Sequence, residues 1–211
     1  MAERSDWPDV PALANAAVRL EPLSLEHADG VRAAVDGPRA SFAFTPVPTP
    51  DAALAHVEGH LARAARGESV PFAQVDPRSG RLVGLTTYLT PRRWPDGRLL
   101  AVEIGSTWLA PHAQGTAVNV GAKLLLLEHA FESWGVARVD IKTDARNARA
   151  RASISALGAT FEGVLRAWQP SAVSGEAGVA RDTAMYSIVA GEWPAVRERL
   201  EARLAAKLAA R

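Results

Sequence analysis

Apolar and polar positions alternate along this chain with two different periods. Val18-Arg19-Leu20-Glu21-Pro22-Leu23 places apolar side chains at every second position, which predicts a strand, and Pro22 within it predicts an edge strand. Ser24 supplies an N-cap, with His27 rather than Glu at N3, for a helix that Gly37-Pro38 stops. Phe42-Ala43-Phe44 leads into Pro46, Pro48 and Pro50, a rigid extended connection. Asp51 opens a second helix through Leu54, Val57 and Leu61 that ends at Gly67. Period two then returns. Pro71 to Val75 and Arg81 to Leu89 flank Asp76-Pro77-Arg78-Ser79-Gly80, a turn in which Pro pre-sets φ and Gly accepts positive φ, so the two form a hairpin. Beyond a second turn region, Pro91 to Gly97, a third strand runs from Leu99 to Leu109 and ends at Ala110-Pro111.

The longest helical stretch follows, from about Thr116 to Trp134. Leu124 to Leu127 leave it no polar face, so it is deeply buried, and Gly135 closes it. Val136 to Ile141 reads as a buried strand and Asn147 to Leu157 as a helix closed by Gly158. Ala159 to Trp168 and Asp182 to Val189 read as strands joined by a Ser/Gly-rich loop. A terminal helix carries Trp193, Val196, Leu200, Leu204 and Leu208 on one stripe, with Pro194 near its start. The expected organisation is a loose arm over 1–17, one domain over 18–190 and an amphipathic helix over 191–211. The element order β-α-α-β-β-β-α-β-α-β-β plus a helix predicts an α+β fold with one parallel step around the long helix.

Composition narrows the function classes. The 211 residues are 48% hydrophobic and 22% charged, ordinary globular values. Net charge is +1, which argues against general nucleic-acid or anionic-membrane binding. There is no cysteine, so no disulfide and no thiol nucleophile. No apolar stretch approaches the ~20 residues needed to span a bilayer. The first residues carry acids and prolines where a signal peptide has an apolar core. A cytoplasmic protein is expected.

The chemistry-bearing stretch runs from Val102 to Asn119, where a strand passes through a Pro/Gly turn into a helix start. First-turn amides lack partners and carry partial positive charge. Gly115 permits close approach, and Thr116 and Asn119 add polar groups, which makes a candidate pyrophosphate cradle, the plain alternative being an ordinary capped helix. Lys123, about two turns in, is placed to reach a further phosphate. Glu103 lies on the strand face opposite Val102 and Ile104, either as a base or as an exposed or Arg81-, Arg92- or Arg93-paired carboxylate. Asn147 reads locally as a helix N-cap. His112 reads as a loop histidine, and His129 as a satisfied core histidine. No metal site is expected, and the six tryptophans read as packing.

Together these residues resemble the GNAT superfamily of acetyl-CoA-dependent N-acetyltransferases, and within it the branch holding the ribosomal-protein N-terminal acetyltransferases. Three segments between Val18 and Val189 carry the resemblance. They are Glu103-Ile104-Gly105 with the Gln114 to Asn119 loop, Arg138-Val139-Asp140 through Asp144 to Asn147, and Leu157-Gly158-Ala159 through Glu162 to Arg166 with Arg181-Asp182-Thr183. The resemblance implies a mixed, mostly antiparallel sheet splayed at its centre and flanked by helices. It implies acetyl-CoA as cosubstrate, with its pyrophosphate on Gly115, Thr116, Ala117, Val118 and Asn119 beside Gln114. The pantetheine arm would pair with Trp108, Leu109 and Ala110, the Leu109 N–H would be the oxyanion donor, and Asn147 would contact the arm or a water. The amine acceptor, a protein N-terminus or a small molecule, would be acetylated directly, and Glu68, Asp96 and Glu103 are candidates to attract it. The hydroxyl acids of relatives fall on Ala150 and Ile154, which leaves water, Tyr88 or Ser106 to protonate the thiolate. Helical spacing does not put Ser153 or Ser155 in that place. A non-catalytic CoA-binding domain is the alternative, and monomer or homodimer stays open.

Overall fold

The structure, a computed structural model, describes residues 7–210. Its centre is an eight-stranded sheet built from β1 (Leu13–Ala14), β2 (Arg19–Pro22), β3 (Ser69–Val75), β4 (Leu82–Arg93), β5 (Leu99–Leu109), β6 (Arg138–Asp144), β7 (Thr160–Pro170) and β8 (Ala180–Val189). The spatial order is β1-β2-β3-β4-β5-β6-β8-β7. Neighbours are antiparallel except β5 and β6, which run parallel because α3 (Val118–Glu128) crosses between them. This is the mixed, mostly antiparallel α+β fold expected from the element order.

Alternation on the strands builds two apolar layers. On β3, Phe72 joins the layer under α3 and the C-terminal helix α5 (Trp193–Ala209). Its neighbours Ala73 and Val75 join the layer under α1 (Ala28–Val35) and α2 (Ala53–Ala65). The remaining helix, α4 (Ala148–Ser155), follows β6. Eight of the eleven α3 residues are buried, seven of them uncharged and the eighth Lys123. A π-helical turn over His129–Ser133 finishes it, and Gly135 follows at φ +62°. The α5 stripe settles on the chain's own core: Trp193, Val196, Leu200 and Leu204 are buried, and Trp193 stacks on Phe131. No helix among the described residues is long and apolar enough to cross a membrane.

The N-terminal expectation needs correction. Residues 1–6 lie outside the described residues, but from Trp7 on the arm is not loose. Trp7 is buried against Tyr88 and Trp134, and its Nε1 donates to the Gly67 carbonyl at 2.8 Å. Asn15 donates to the Gly121 carbonyl at 3.1 Å, and a Cβ on Gly121 would lie 2.9 Å from that of Ala17. A side chain there would push this segment off α3. β2 is also not an edge, because the two-residue β1 pairs along its outer side.

Candidate active site

The sheet parts at the parallel seam between β5 and β6. β5 pairs with β6 through Ala101, Val102 and Glu103 opposite Arg138, Val139 and Asp140, and no further. Beyond Glu103 the strands diverge around a cleft of about 490 Å³. Ile104 to Thr107 line one wall and Ile141 to Thr143 the other. On β5 the parting coincides with a bulge. Register against β4 shifts by one residue between Leu85–Trp108 and Thr87–Gly105, and Ser106 takes φ +48°. Past the bulge, the Ala110 N–H goes to the Val83 carbonyl at 2.8 Å. Alternation therefore turns Leu109 the other way, where its carbonyl accepts from Gln114 Nε2 at 2.8 Å. Ala110, expected to pair with an extended ligand, has already spent its donor on β4. The open wall is centred on Ile104 to Thr107 rather than on Trp108, Leu109 and Ala110.

The loop before α3 fits a phosphate ligand. Gly115 sits at φ +77°, with open space where a Cβ would be. Thr116 Oγ1 donates to the Ala113 carbonyl and accepts the Val118 amide. The helix ladder begins with Gly121 N–H on the Ala117 carbonyl. Among the described residues, the amides of Thr116, Ala117, Asn119 and Val120 are left without a protein acceptor. Free first-turn amides on a partly exposed loop are what an anion needs. Lys207 of α5, which no local pattern in the chain placed here, donates to the Gly115 carbonyl at 2.5 Å. Lys123 does not face this loop. It points from α3 into the cleft, donating to Thr107 Oγ1 at 2.8 Å and Thr86 Oγ1 at 3.5 Å. Burial alone pushes its ammonium down to about 7.

Glu103 is buried on the opposite side of β5. Its partner is none of the expected arginines but Lys142 at 2.8 Å, with Thr90 Oγ1 donating at 3.2 Å. Arg92 is engaged by Asp140 and Arg93 by the Gly97 carbonyl. A Cβ on Gly105 would lie 2.8 Å from Glu103 Oε1, so a side chain there would have to displace the carboxylate. Of the three acids expected to attract an amine, Glu103 alone lines the cleft. Glu68 pairs with Arg66 and Asp96 with Arg98, both exposed.

Asn147 caps α4, its side chain accepting the Ala150 amide at 3.0 Å, and it also lines the cleft. Tyr88 is not an available acid: its hydroxyl donates to the Leu126 carbonyl inside the core, and burial raises it well above the ordinary phenol value. Ala150 and Ile154 line the cleft without hydroxyls, and Ser153, set aside on helical spacing, lines it too, accepting from Asn119 Nδ2 at 3.4 Å. His129 is not a satisfied core histidine, because its buried Nε2 has no hydrogen-bond partner.

A mixed sheet parted at a parallel seam thus stands beside a helix with free first-turn amides, a cleft and an anion cradle brought together. Residues 17–160 match the acetyltransferase (GNAT) domain family, and the chain belongs to it. Among solved structures, a candidate acetyltransferase from T. thermophilus is 34% identical, with TM-score 0.78 over 94% of this chain and 99% of that one. A GCN5-related N-acetyltransferase from Brucella melitensis is 29% identical, with TM-score 0.78 over 93% and 86%. RimJ of Mycobacterium smegmatis, solved with CoA-disulfide, shares the fold at 24% identity and TM-score 0.73, over 94% and 96%. No protein of curated function matches the chain.

Proposed function

We propose that this protein transfers the acetyl group of acetyl-CoA to a primary amine, by direct attack with both substrates held in one cleft. The parted seam between β5 and β6 carries this reading, because it opens the sheet to both faces and removes the need for an acyl-enzyme. The amides of Thr116, Ala117, Asn119 and Val120 receive the pyrophosphate, with Lys207 beside them and Gln114 bracing the loop on Leu109. Acetyl-CoA supplies the activated acyl group. The Leu109 N–H polarises the thioester carbonyl as charge develops on its oxygen. Glu103, on the α1/α2 side, takes the proton of the amine through water, held in place by Lys142 and Thr90. The acceptor is a protein N-terminus or a small-molecule amine.

Thermal unfolding with nucleotides tests the donor. Acetyl-CoA at a hundredfold excess over Kd adds about 2.7 kcal/mol of stability, and NAD, ATP and GTP do not match it. No shift at millimolar acetyl-CoA overturns the assignment. CoA release with a panel of amines tests transfer, and binding without turnover on every amine would reduce the protein to a CoA-binding domain.

A further inference from the structure

We propose that the Thr107 hydroxyl, backed by the Lys123 ammonium, protonates the sulphur of the departing CoA. The proposal rests on the acetyl-transfer reading and names a proton source that reading lacks. Thr107 and Lys123 both line the cleft where β5 leaves β6. Lys123 Nζ, Thr107 Oγ1 and Thr86 Oγ1 form a closed triangle, with the two hydroxyls 2.8 Å apart. Each hydroxyl can donate and accept at once, so Thr107 can pass on a proton it receives from behind.

Lys123 has no counter-ion among the described residues. The charged groups lining the same cleft are Glu103 and Lys142, paired with each other between β5 and β6, together with Arg63 and Arg181. On β4 the Tyr88 phenol is bound to Leu126, Arg92 is engaged by Asp140 and Arg93 by the Gly97 carbonyl, and α5 directs Arg197 to Glu128 and Glu132 at the end of α3 and the turn after it. α4 adds no acid to the cleft, and the N-terminal segment touches α3 through Asn15. An unpaired buried ammonium costs stability that a hydrophobic residue of similar size would not. The chain holds only three lysines, Lys123, Lys142 and Lys207, among 24 basic residues. Arginine, which does not give up its proton, fills most basic positions, and lysine stands at the buried one.

In the transfer step the amine nitrogen forms the C–N bond, and the C–S bonding pair stays on sulphur. Sulphur takes the proton of Thr107 Oγ1, and Thr107 takes one from Lys123 Nζ, which becomes neutral. The proton shed by the amine leaves on the Glu103 side to water, and Lys123 is reprotonated from water once the cleft empties. An ordinary thiol titrates near 8.5 and an ordinary lysine near 10.4. Transfer from an ordinary lysine to a thiolate is therefore uphill. With the ammonium pushed down to about 7 by burial, it runs downhill.

The test uses the full chain with lysine labelled at 13Cε, where three signals cover every lysine. The Lys123 signal titrates near neutral pH in the free protein. CoA moves that signal a second time near 8.5, a shift at the pH where its thiol ionises beside the hydroxyl bonded to Lys123. Desulfo-CoA, which lacks only the sulphur, gives no second shift. Thr107→Val abolishes the CoA-specific shift and Thr107→Ser restores it. Equal effects of CoA and desulfo-CoA in the unsubstituted protein overturn the proposal without any variant. So does loss of the shift in Ser153→Ala but not in Thr107→Val, which moves the proton source to Ser153. If neither nucleotide binds, the acetyl-transfer reading itself falls, and this proposal with it.

Discussion

Glu103 and Lys123 are both buried, line one cleft and flank the same strand, yet the fold treats their charges in opposite ways. Glu103 is met by an ammonium at 2.8 Å and by a threonine hydroxyl. Lys123 is met by two threonine hydroxyls and no carboxylate. An ion pair fixes a charged group in position, while neutral hydroxyls satisfy hydrogen bonds without holding the charge. The first arrangement suits a carboxylate that must stay anchored beside an incoming cation. The second suits a group that has to change its charge.

The largest expected effect comes from removing the proposed base. Glu103→Gln keeps shape and costs about 10²–10⁴-fold in kcat, with acetyl-CoA affinity little changed and the loss shrinking at high pH, where more amine is already free. Near-full kcat at neutral pH would make Glu103 an anchor only. Breaking the pair from the other side exposes its energetics. Lys142→Met strands the buried carboxylate and costs about 3–5 kcal/mol in urea unfolding at neutral pH. An effect below about 1 kcal/mol would mean that water already reaches Glu103.

Lys123→Met should do the reverse and stabilise the protein by about 1–4 kcal/mol at pH 6, because no buried partner is abandoned. This gap depends on pH because burial depresses the titration of Lys123. Below about 7 both folded and unfolded chains hold the proton, and the burial penalty is complete. Between about 7 and the ordinary value near 10.4 the unfolded chain binds more protons, so the stability of the unsubstituted protein rises. Unfolding curves of the two proteins should therefore converge toward pH 10, and a constant gap would show that Lys123 titrates normally. The smallest effect belongs to the exposed cation. Lys207→Ala should weaken acetyl-CoA binding by a few fold, about 0.5–1 kcal/mol, and calorimetry in high salt should erase the difference.

Much of this architecture is legible in the sequence because local signals agree with it. The hairpin turn at Asp76 to Gly80, the leucine run of α3 and the α5 stripe are each stated by their own residues. Gly115 and Glu103 are also visible, one as a punctuating residue before a helix and the other as a lone acid in an apolar strand. What escapes depends on distant partners. Trp7 and Asn15 look unpatterned until Gly67 and Gly121 receive them. Lys142 is one strand away from Glu103 in space and 39 positions away in sequence. Lys207 reaches Gly115 from 92 positions along the chain. Lys123 stands out in the sequence but its direction does not, because period counting gives distance along a helix and not which side meets the sheet.

The bulge at Ser106 has a further effect, which is one of parity. In a regular strand, Glu103 and Thr107 are four residues apart and share a face. Before the bulge the even-numbered Val102 and Ile104 face α3, and after it the odd-numbered Leu109 does, while Trp108 joins the α1/α2 layer. One inserted residue thus lets a single strand offer a carboxylate to one side of the sheet and a hydroxyl to the other. Straightening the bulge with Ser106 kept would drive Trp108 toward α3, turn Thr107 away from Lys123 and put Glu103 and Thr107 on one side, whereas deleting Ser106 would leave a regular strand with every side chain on its present side.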